Sequence, residues 1–397
     1  MLIITAPGQG AQTPGFLAPW LEVPGIAERL GAASELVGCD LLRYGTTAGA
    51  DEIKDTAIAQ PLLVAAALAV AGALADEVCA DAAAGHSVGE LTAGVLAGVL
   101  SADDALRLVR VRGAAMAAAA AAEPTGMTAV LGGDEETVLA AIARHGLTPA
   151  NVNGAGQIVA AGALADLESF AADPPTGARL RPLQVAGAFH TRYMAPAVEA
   201  LREAAAQVAV TDPHLTLLCD ADGAAATTGK EWLERIVAQV AAPVRWDLCM
   251  RTMADLGVTA LIELPPAGTL TGLARRALPG VVQLAIKTPD QLAAARDLID
   301  EHLSDTSRPD GHGHLPDWRL IVAPTSGTFR SPAAPELLGC VVTRGGERPL
   351  AAPWPAEIIE WLVEDGDPVS EGQPLVRVLP EGQGGPGGWF PLGKDSP

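Results

Sequence analysis

The apolar run PLLVAAALAVAGALA, residues 61–75, places the strongest constraint on the fold, because a helix that is apolar all round must be surrounded by protein or lipid. The run has 15 residues before Asp76 and Glu77, which is too short to span a bilayer. We therefore predict a buried helix over 59–75. Since 49% of the 397 residues are hydrophobic but only 4% are aromatic, the surrounding core must consist mostly of Ala, Val and Leu.

Short apolar segments alternate with Ala-rich helical segments along the first part of the chain. The pattern predicts strands over 2–6 and 78–84 and helices over 87–99 and 103–122. Strands that alternate with helices are typical of a parallel sheet covered by helices, so we predict an α/β fold.

The pattern changes at Pro124, where strand, helix, two strands, helix and strand follow one another. This order predicts a ferredoxin-like insert over about 125–187. The larger pattern then resumes up to residue 303. It predicts strands over 215–219 and 259–264, and helices from 191, near 230–240 and over 246–256, 269–277 and 289–303.

The C-terminal quarter has a different composition. Residues 304–318 are rich in Gly, Pro and Asp and indicate a linker, 319–380 form a compact β-like block, and 381–397 are expected to be disordered. His312 and His314 are the kind of residue that ligates metal, but no further His or Cys cluster supports a site, so no metal is expected.

Charge and cysteine usage narrow the class of function. The net charge of −21 argues against binding to nucleic acid or to an anionic membrane. The five cysteines are scattered and never form C-x-x-C, which is typical of a reduced, cytoplasmic protein. The start MLIITAPGQG has neither a basic region nor a long apolar run, so we expect no signal peptide there.

A G-x-S-x-G pattern at Gly85, Ser87 and Gly89 lies between the predicted strand and helix. In this context a serine is lifted from a tight turn and acts as a nucleophile, with the helix N-terminus favouring negative charge nearby. The alternative is that Ser87 simply caps a buried helix.

A serine nucleophile needs a base, and His190 is the best candidate among the seven histidines. It lies where the insert ends and the main domain resumes, whereas His86 adjoins Ser87 and would point away from it. The alternative for His190 is a buried, hydrogen-bonded core residue. No acidic partner stands out between Ser87 and His190, which differs from the Ser–Asp–His order of α/β hydrolases.

Seven segments together resemble the malonyl-CoA:acyl-carrier-protein transacylase family, which includes the acyltransferase domains of polyketide and fatty-acid synthases. They occur in the family's order over residues 1–303. The segments are PGQGAQ (7–12), AQPLL (59–63), GHSVGE (85–90), VRGAAM (111–116), GAFHTRYM (187–194), QVAAPVRW (239–246) and ELPPAGTLTGL (263–273).

The resemblance implies a hydrolase-like α/β core and a Ser–His dyad. Ser87 would attack the acyl thioester and His190 would carry the proton. The backbone carbonyl of Gln239 would orient His190 in place of a carboxylate, and the backbone N–H groups of Gln9 and Val88 would form the oxyanion hole.

The acyl group implied by the resemblance is malonyl. Arg112 would bind its free carboxylate, although by itself it would be taken for a surface arginine like Arg107 and Arg110. Gln60 would line the pocket, while Val88 after the nucleophile and Phe189 before the base favour malonyl over branched acyl groups. In the loop at 265–268, PPAG replaces the family's G-P-G, and the two prolines have no N–H to donate.

Within 319–380, the segments APTSGTF (323–329) and APWPAEIIEWLVEDGDPVSEGQPLVRV (352–378) resemble the two halves of a biotinyl/lipoyl carrier domain, which is a small barrel-sandwich of β-strands. The family's modified lysine corresponds to Gly345, and the nearest Lys is Lys394 in the tail. We therefore expect a degenerate carrier-like domain that bears neither biotin nor lipoate.

The expected activity is ping-pong transfer of malonyl from malonyl-CoA to the phosphopantetheine thiol of an acyl carrier protein, with no bound cofactor and by a monomer. Two alternatives stay open. An acyl-thioester (editing) hydrolase would use the same dyad but would not need Arg112, and a noncatalytic subunit of a carboxylase complex would not need the dyad.

Overall fold

The computed structural model of the chain describes residues 1–74 and 80–304. Beyond these it describes 319–332, 340–343, 345–350, 356–361, 363, 365–369 and 374–380. The described residues form two units, one within 1–302 and the other within 303–387.

The described residues of the first unit contain nine strands and thirteen α-helices, and the last of these helices continues to Ser304. The strands are β1 (Leu2–Ala6), β2 (Ala82–Gly85), β3 (Thr125–Gly132), β4 (Thr148–Gly154), β5 (Gln157–Ala163), β6 (Ala178–Pro182), β7 (Thr216–Leu218), β8 (Ala260–Glu263) and β9 (Val282–Ala285). The helices are α1 (Ile26–Val37), α2 (Leu41–Thr46), α3 (Ala50–Ile53), α4 (Thr56–Leu74), α5 (Gly89–Leu96), α6 (Ala102–Ala122), α7 (Glu135–Arg144), α8 (Leu164–Ala172), α9 (Ala195–Ala205), α10 (Gly229–Gln239), α11 (Trp246–Asp255), α12 (Thr269–Ala277) and α13 (Gln291–Ser304).

A parallel sheet of five strands, in the order β7-β2-β1-β8-β9, forms the core of this unit. All five residues of β1 are buried, and because successive side chains of a strand point to opposite faces, both faces of the sheet are covered. On one face, Ile3 and Leu261 pack with Trp246 of α11 and Leu270 of α12. The prediction of an α/β fold with a parallel sheet is confirmed.

The apolar run lies in α4, which starts at Thr56 and has 19 residues, so it is longer than the run suggested. By length and composition this helix could cross a membrane, and the length argument made from the run does not hold. Its burial is typical of a core helix and not of a membrane-spanning helix, because 78% of its most apolar window is buried inside the unit. The end of the predicted helix at residue 75 lies outside the described residues.

The insert forms an antiparallel sheet in the order β4-β5-β3-β6, which is the ferredoxin-like order. Val130, Val152 and Ile158 face α7 and α8, where they pack with Ile142 and Phe170. Since side chains alternate along a strand, the neighbours of Val152 on β4 point to the sheet's other face. Asn153, on that other face, lies within hydrogen-bond distance of His86, which follows β2 at the edge of the parallel sheet.

The second unit contains only antiparallel strand pairs among its described residues. The strands are β10 (Arg319–Val322), β11 (Gly327–Arg330), β12 (Cys340–Thr343), β13 (Gly346–Pro349), β14 (Ala356–Trp361), β15 (Pro368–Val369) and β16 (Pro374–Pro380). They form two sheets, β10-β16-β14 and β13-β12-β11-β15, over a small core that includes Phe329, Val341 and Leu375. An all-β unit agrees with the prediction, while its closure into a barrel-sandwich stays a prediction.

Several predicted features fall outside the described residues. These are His312, His314, Cys79, most of the linker and the tail. The cysteines that the structure describes, Cys39, Cys219, Cys249 and Cys340, are free thiols.

Candidate active site

Three adjacent strands of the parallel sheet, β7, β2 and β1, end at the same edge, and the chain leaving each one carries a polar residue. Asp220 follows β7, Ser87 follows β2 and Gln9 follows β1. Ligand sites of open α/β sheets lie outside the carboxyl ends of the strands. The fold therefore gathers residues from distant parts of the sequence at the place where a site is expected.

Ser87 lies on a strained turn between β2 and α5. Its φ of 55° is in the left-handed region, which is uncommon for a residue with a side chain. A Cβ on Gly85 would lie 2.1 Å from the backbone N of Glu90, and one on Gly89 would lie 2.2 Å from the carbonyl O of Ala6. Both neighbours are backbone atoms that cannot move aside, so the turn requires the two glycines of G-x-S-x-G. The N-cap of α5 is Val88, so the helix-cap alternative for Ser87 is wrong.

His190 lies against Ser87, with 2.7 Å between Ser87 Oγ and His190 Nε2. Its other ring nitrogen, Nδ1, is 2.9 Å from the backbone O of Gln239. Because a carbonyl oxygen only accepts, Nδ1 carries the proton and Nε2 is free to accept the proton of Ser87. The φ of His190 is 59°, so both members of this pair occupy the left-handed region.

The surroundings keep His190 neutral. Burial, together with the positive charge of Arg112, lowers the pKa of His190 to about 3. His190 is 3% exposed, which leaves little water to solvate an imidazolium. A neutral imidazole is the form that a general base needs.

Arg112 is buried on α6 and is not a surface arginine. It donates from Nη1 to Gln60 Oε1 at 2.7 Å and from Nη2 to Gln239 Oε1 at 2.7 Å, and Nη2 lies 3.3 Å from Ser87 Oγ. Its Nε has no partner among the described residues. Burial lowers the pKa of Arg112 to about 10, so the guanidinium is still charged at neutral pH. A buried cation without a directly bound carboxylate, so close to the serine, is suited to an anionic ligand.

The remaining predicted residues lie around the same point. Val88 is buried at the start of α5 and Phe189 is buried beside His190. Gln9 lies in the turn after β1, and its side-chain amide donates to the Lys54 backbone O and to Thr56 Oγ1. Within the part of the chain that the structure describes, the backbone N–H groups of Gln9 and Val88 donate no hydrogen bond.

His86 is turned away from Ser87, as expected of its neighbour on a tight turn. Its Nε2 lies 2.9 Å from Asn153 Oδ1 on β4, and its ring lies 5.7 Å from that of Trp246. His86 thus links the nucleophile turn to the ferredoxin-like insert.

Two buried carboxyl groups behind Ser87 were not predicted as site residues. The backbone N–H of Ser87 donates to Asp220 Oδ2 at 2.6 Å, and that of Asp220 donates to Glu90 Oε1 at 2.7 Å. The side-chain amide of Gln239 donates to both groups. Glu90 is part of GHSVGE, and Asp220 lies two residues after the short apolar strand β7, a position that could have marked it as a site residue.

Burial also controls the charge of this pair. It raises the pKa of Asp220 to about 7, and burial together with the negative charge of Asp220 raises the pKa of Glu90 well above its usual range. Hydrogen bonds from the Ser87 N–H and from the Gln239 side chain partly offset the effect on Asp220. Burial and the closeness of the two groups therefore disfavour a negative charge on both at once.

A serine and a neutral histidine on the edge of an open parallel sheet are typical of enzymes that form acyl-serine intermediates. Comparison with known proteins narrows this class. Residues 8–298 match the model of the acyl transferase domain, and the chain belongs to this family.

Curated proteins similar to this chain include malonyl CoA-acyl carrier protein transacylases from several bacteria. That of Mycobacterium tuberculosis is 52% identical over 297 residues, which are 74% of this chain and 98% of the relative. That of Mycolicibacterium smegmatis is 52% identical over 284 residues, covering 70% and 98%. That of Escherichia coli is 34% identical over 301 residues, covering 74% and 97%.

Solved structures agree with these relatives. The crystal structure of MCAT from Mycobacterium tuberculosis matches with a TM-score of 0.73 and 52% identity, covering 75% of this chain and 99% of that chain. An acyl-carrier-protein S-malonyltransferase from Burkholderia pseudomallei matches with a TM-score of 0.70 and 35% identity, covering 75% and 99%. The family model ends at residue 298, so the likeness of 319–380 to a carrier domain stays a prediction.

Proposed function

We propose that this protein transfers a malonyl group from malonyl-CoA to the phosphopantetheine thiol of an acyl carrier protein, as a step of fatty-acid or polyketide synthesis. The observation that carries the proposal is the buried guanidinium of Arg112, 3.3 Å from the Ser87 hydroxyl. An enzyme for neutral acyl chains does not need a cation there. The relatives at 52% identity support the same activity.

In the first half-reaction Ser87 is the nucleophile and His190 is the base. Ser87 Oγ attacks the thioester carbon of malonyl-CoA while its proton passes to His190 Nε2, 2.7 Å away. The C–S bond then breaks, and the proton on His190 passes to the sulfur of coenzyme A. The products are malonyl-Ser87 and free coenzyme A.

The second half-reaction repeats these steps with the carrier's thiol as nucleophile. His190 takes the thiol proton, the sulfur attacks the malonyl-serine ester, and the proton returns to Ser87 Oγ as the ester bond breaks. The backbone carbonyl of Gln239 holds the imidazole in the productive tautomer throughout, at 2.9 Å from Nδ1.

Both half-reactions pass through a tetrahedral oxyanion. We assign its stabilisation to the backbone N–H groups of Gln9 and Val88, which come from the turn after β1 and the start of α5. An oxyanion donor contributes about 3–4 kcal/mol in serine enzymes. The N-terminus of α5 adds a favourable dipole at the same place.

Arg112 would hold the free carboxylate of malonyl through paired charge-assisted hydrogen bonds. Gln60 and Gln239 hold the guanidinium in position through their Oε1 atoms, each at 2.7 Å. Val88 and Phe189 would line the acyl pocket beside the dyad. The carboxylate would then be fixed on one side of Ser87 and the thioester on the other.

Intact-mass analysis after incubation with malonyl-CoA tests the proposal. We expect a malonyl adduct on Ser87 that is absent from Ser87→Ala, followed by loss of the adduct when a carrier protein bearing phosphopantetheine is added. Malonyl should then appear on the carrier thiol. Release of free malonate in place of carrier labelling would favour the editing hydrolase, and equal labelling by acetyl-CoA would overturn the malonyl assignment.

The second unit is proposed to be a carrier-like domain without biotin or lipoate. Gly345 lies in the turn of the β12–β13 hairpin, at the position where the resemblance predicts a lysine. We also propose that the protein acts as a monomer and is located in the cytoplasm. Because the chain is acidic and carrier proteins of this kind are usually acidic as well, docking would depend on a local group of arginines.

A further inference from the structure

Gln239, the last residue of α10, contacts both the base His190 and the guanidinium of Arg112. Its backbone O accepts the Nδ1–H of His190 at 2.9 Å, and its side-chain Oε1 accepts from Arg112 Nη2 at 2.7 Å. The residue is 2% exposed, so water does not compete for these atoms. The placement of one glutamine therefore bears on proton transfer and on carboxylate binding.

A side-chain amide can turn by half a rotation and exchange its oxygen and nitrogen, and here the exchange would be unfavourable at both ends. Nε2 donates to Ser87 O at 3.1 Å, to both Asp220 carboxyl oxygens at 3.1 Å and to Glu90 Oε2. After such a turn, Oε1 would face these oxygens and Nε2 would face the guanidinium of Arg112. The acceptors behind Gln239 thus select the orientation that Arg112 needs.

The carboxyl pair that supplies these acceptors is itself held in place. Asp220 and Glu90 are 0% and 1% exposed, and the two are joined by the bond from Asp220 N–H to Glu90 Oε1. Asp220 also accepts the Ser87 N–H. Burial disfavours a negative charge on both groups at once, which limits the negative charge behind Arg112.

We propose that Glu90 and Asp220 are positioning residues that determine malonyl selectivity, because they fix the Gln239 amide and through it the guanidinium of Arg112. This inference rests on the proposed function. Neither carboxyl group reacts with the substrate. The pair acts through Gln239 and, at the Ser87 N–H, on the turn that carries the nucleophile.

The inference separates malonyl from acetyl thioesters. Both substrates need Ser87 and His190, but only malonyl has the carboxylate that Arg112 would bind. Loss of the Gln239 orientation should therefore slow acylation by malonyl-CoA more than acylation by acetyl-CoA. The ratio of the two rates, measured on one sample, does not depend on the fraction of folded enzyme.

The experiment compares Glu90→Met, which keeps side-chain volume but removes both acceptor oxygens, with Glu90→Gln, which keeps an acceptor and a donor. Glu263→Met is the matched control. Glu263 is a buried carboxylate at the end of β8 that accepts from the backbone N–H groups of Gly268, Leu270 and Thr271 at 2.8–2.9 Å. Acylation of the full chain is measured with malonyl-CoA and with acetyl-CoA, together with the thermal midpoint.

We expect Glu90→Met to lower the malonyl-to-acetyl ratio of kcat/KM about tenfold or more, the factor for losing a charge-assisted hydrogen bond. Glu90→Gln should restore the ratio to within about threefold of the unmodified chain. Glu263→Met should lower the thermal midpoint and leave the ratio unchanged. If Glu90→Met does not fold, Glu90→Ser replaces it, since the shorter side chain leaves room for water beside the Asp220 N–H.

The inference fails if the ratio is unchanged in Glu90→Met, or if Glu90→Gln lowers it as much as Glu90→Met. The unmodified chain serves as the control on the proposed function. If malonyl-CoA does not acylate Ser87 in that chain, the proposed function fails, and the result is distinguishable from failure of the positioning role.

Discussion

Replacement of Arg112 with alanine should abolish the preference for malonyl. The guanidinium is 1% exposed, and its Nη atoms are held by Gln60 and Gln239, each at 2.7 Å. It lies 3.3 Å from the Ser87 hydroxyl, so a carboxylate bound to it would be close to the acyl-serine bond. Alanine removes the charge and all donors at this position.

The size of the effect follows from the hydrogen bonds involved. A hydrogen bond to a charged group contributes about 1.5–3 kcal/mol, so a paired contact contributes about 3–6 kcal/mol. Since about 1.4 kcal/mol corresponds to a factor of ten, kcat/KM for malonyl-CoA should fall by roughly 10² to 10⁴. Acetyl-CoA has no carboxylate to lose, so its kcat/KM should change by no more than about threefold. The oxygens of Gln60 and Gln239 lose their donor, which should destabilise the fold by about 1–3 kcal/mol each.

The assay measures acylation of Ser87 by each thioester. Acylation is monitored through the release of coenzyme A and through the intact mass of the protein. Arg107→Ala is the matched control, because Arg107 lies on the same helix, is 54% exposed and pairs only at the surface with Asp103 and Asp104. It should leave both rates unchanged. If Arg112→Ala lowers malonyl and acetyl acylation by the same factor, the guanidinium does not bind the malonyl carboxylate and our reasoning is refuted.

Four further predictions concern the base, the turn and the second unit. Because burial lowers the pKa of His190 from 6.5 to about 3, kcat/KM for acylation should not fall as pH drops through 6.5, and an acidic limb centred near 6.5 in the rate profile would contradict this. The unfolded chain protonates this histidine near pH 6.5 and the folded chain only near pH 3. The free energy of unfolding should therefore decrease as the pH falls between those two values, and denaturant titrations at several pH values would measure the decrease. Gly85→Ala would bring a Cβ to 2.1 Å from the Glu90 backbone N and should destabilise the turn by about 1–3 kcal/mol or more. We expect loss of Ser87 labelling in this variant. Normal labelling with an unchanged thermal midpoint would refute the prediction. Intact mass of the chain isolated from cells should show no biotin or lipoyl adduct, and such an adduct would refute the degenerate-carrier interpretation of the unit with Gly345 in its hairpin turn.

The elements with a clear period or composition were predictable. The strand over 2–6 and the helix over 269–277 coincide with β1 and α12, and the strand–helix order of the insert is the observed one. No helix is predicted between residues 7 and 58, where the structure has three complete α-helices, α1 to α3, and the first residues of α4. Two of these, α2 and α3, have 6 and 4 residues, too few for a period to be visible, whereas α1 has a readable apolar stripe in Ile26, Leu30, Ala33 and Val37.

The predicted helix over 87–99 begins two residues later, at Gly89, because the turn with Ser87 intervenes. Strand β9, Val282–Ala285, has no counterpart in the predictions. Its four residues include a polar one, and it pairs only with β8 at the edge of the sheet. Such an edge strand is specified mainly by the neighbour it pairs with and only weakly by its own sequence.

The sequence by itself determined the chemical groups and their order along the chain. It contains a serine between two glycines, a histidine after the insert and an arginine on a long helix, together with the other segments that characterise the family. Gly85 is needed locally, because a Cβ there would lie 2.1 Å from the backbone N of Glu90 in the same turn. Such requirements are visible in a short stretch of sequence.

Only the tertiary structure decided how these groups act together. Gln239 lies 149 residues from Glu90 and 152 from Ser87, yet it contacts both and also Arg112 and Asp220. These contacts form because parallel strands bring their carboxyl ends to one edge of the sheet, whatever their separation along the chain. Burial at that edge then keeps His190 neutral and raises the pKa of Glu90, since the low polarity of the interior disfavours charge on both.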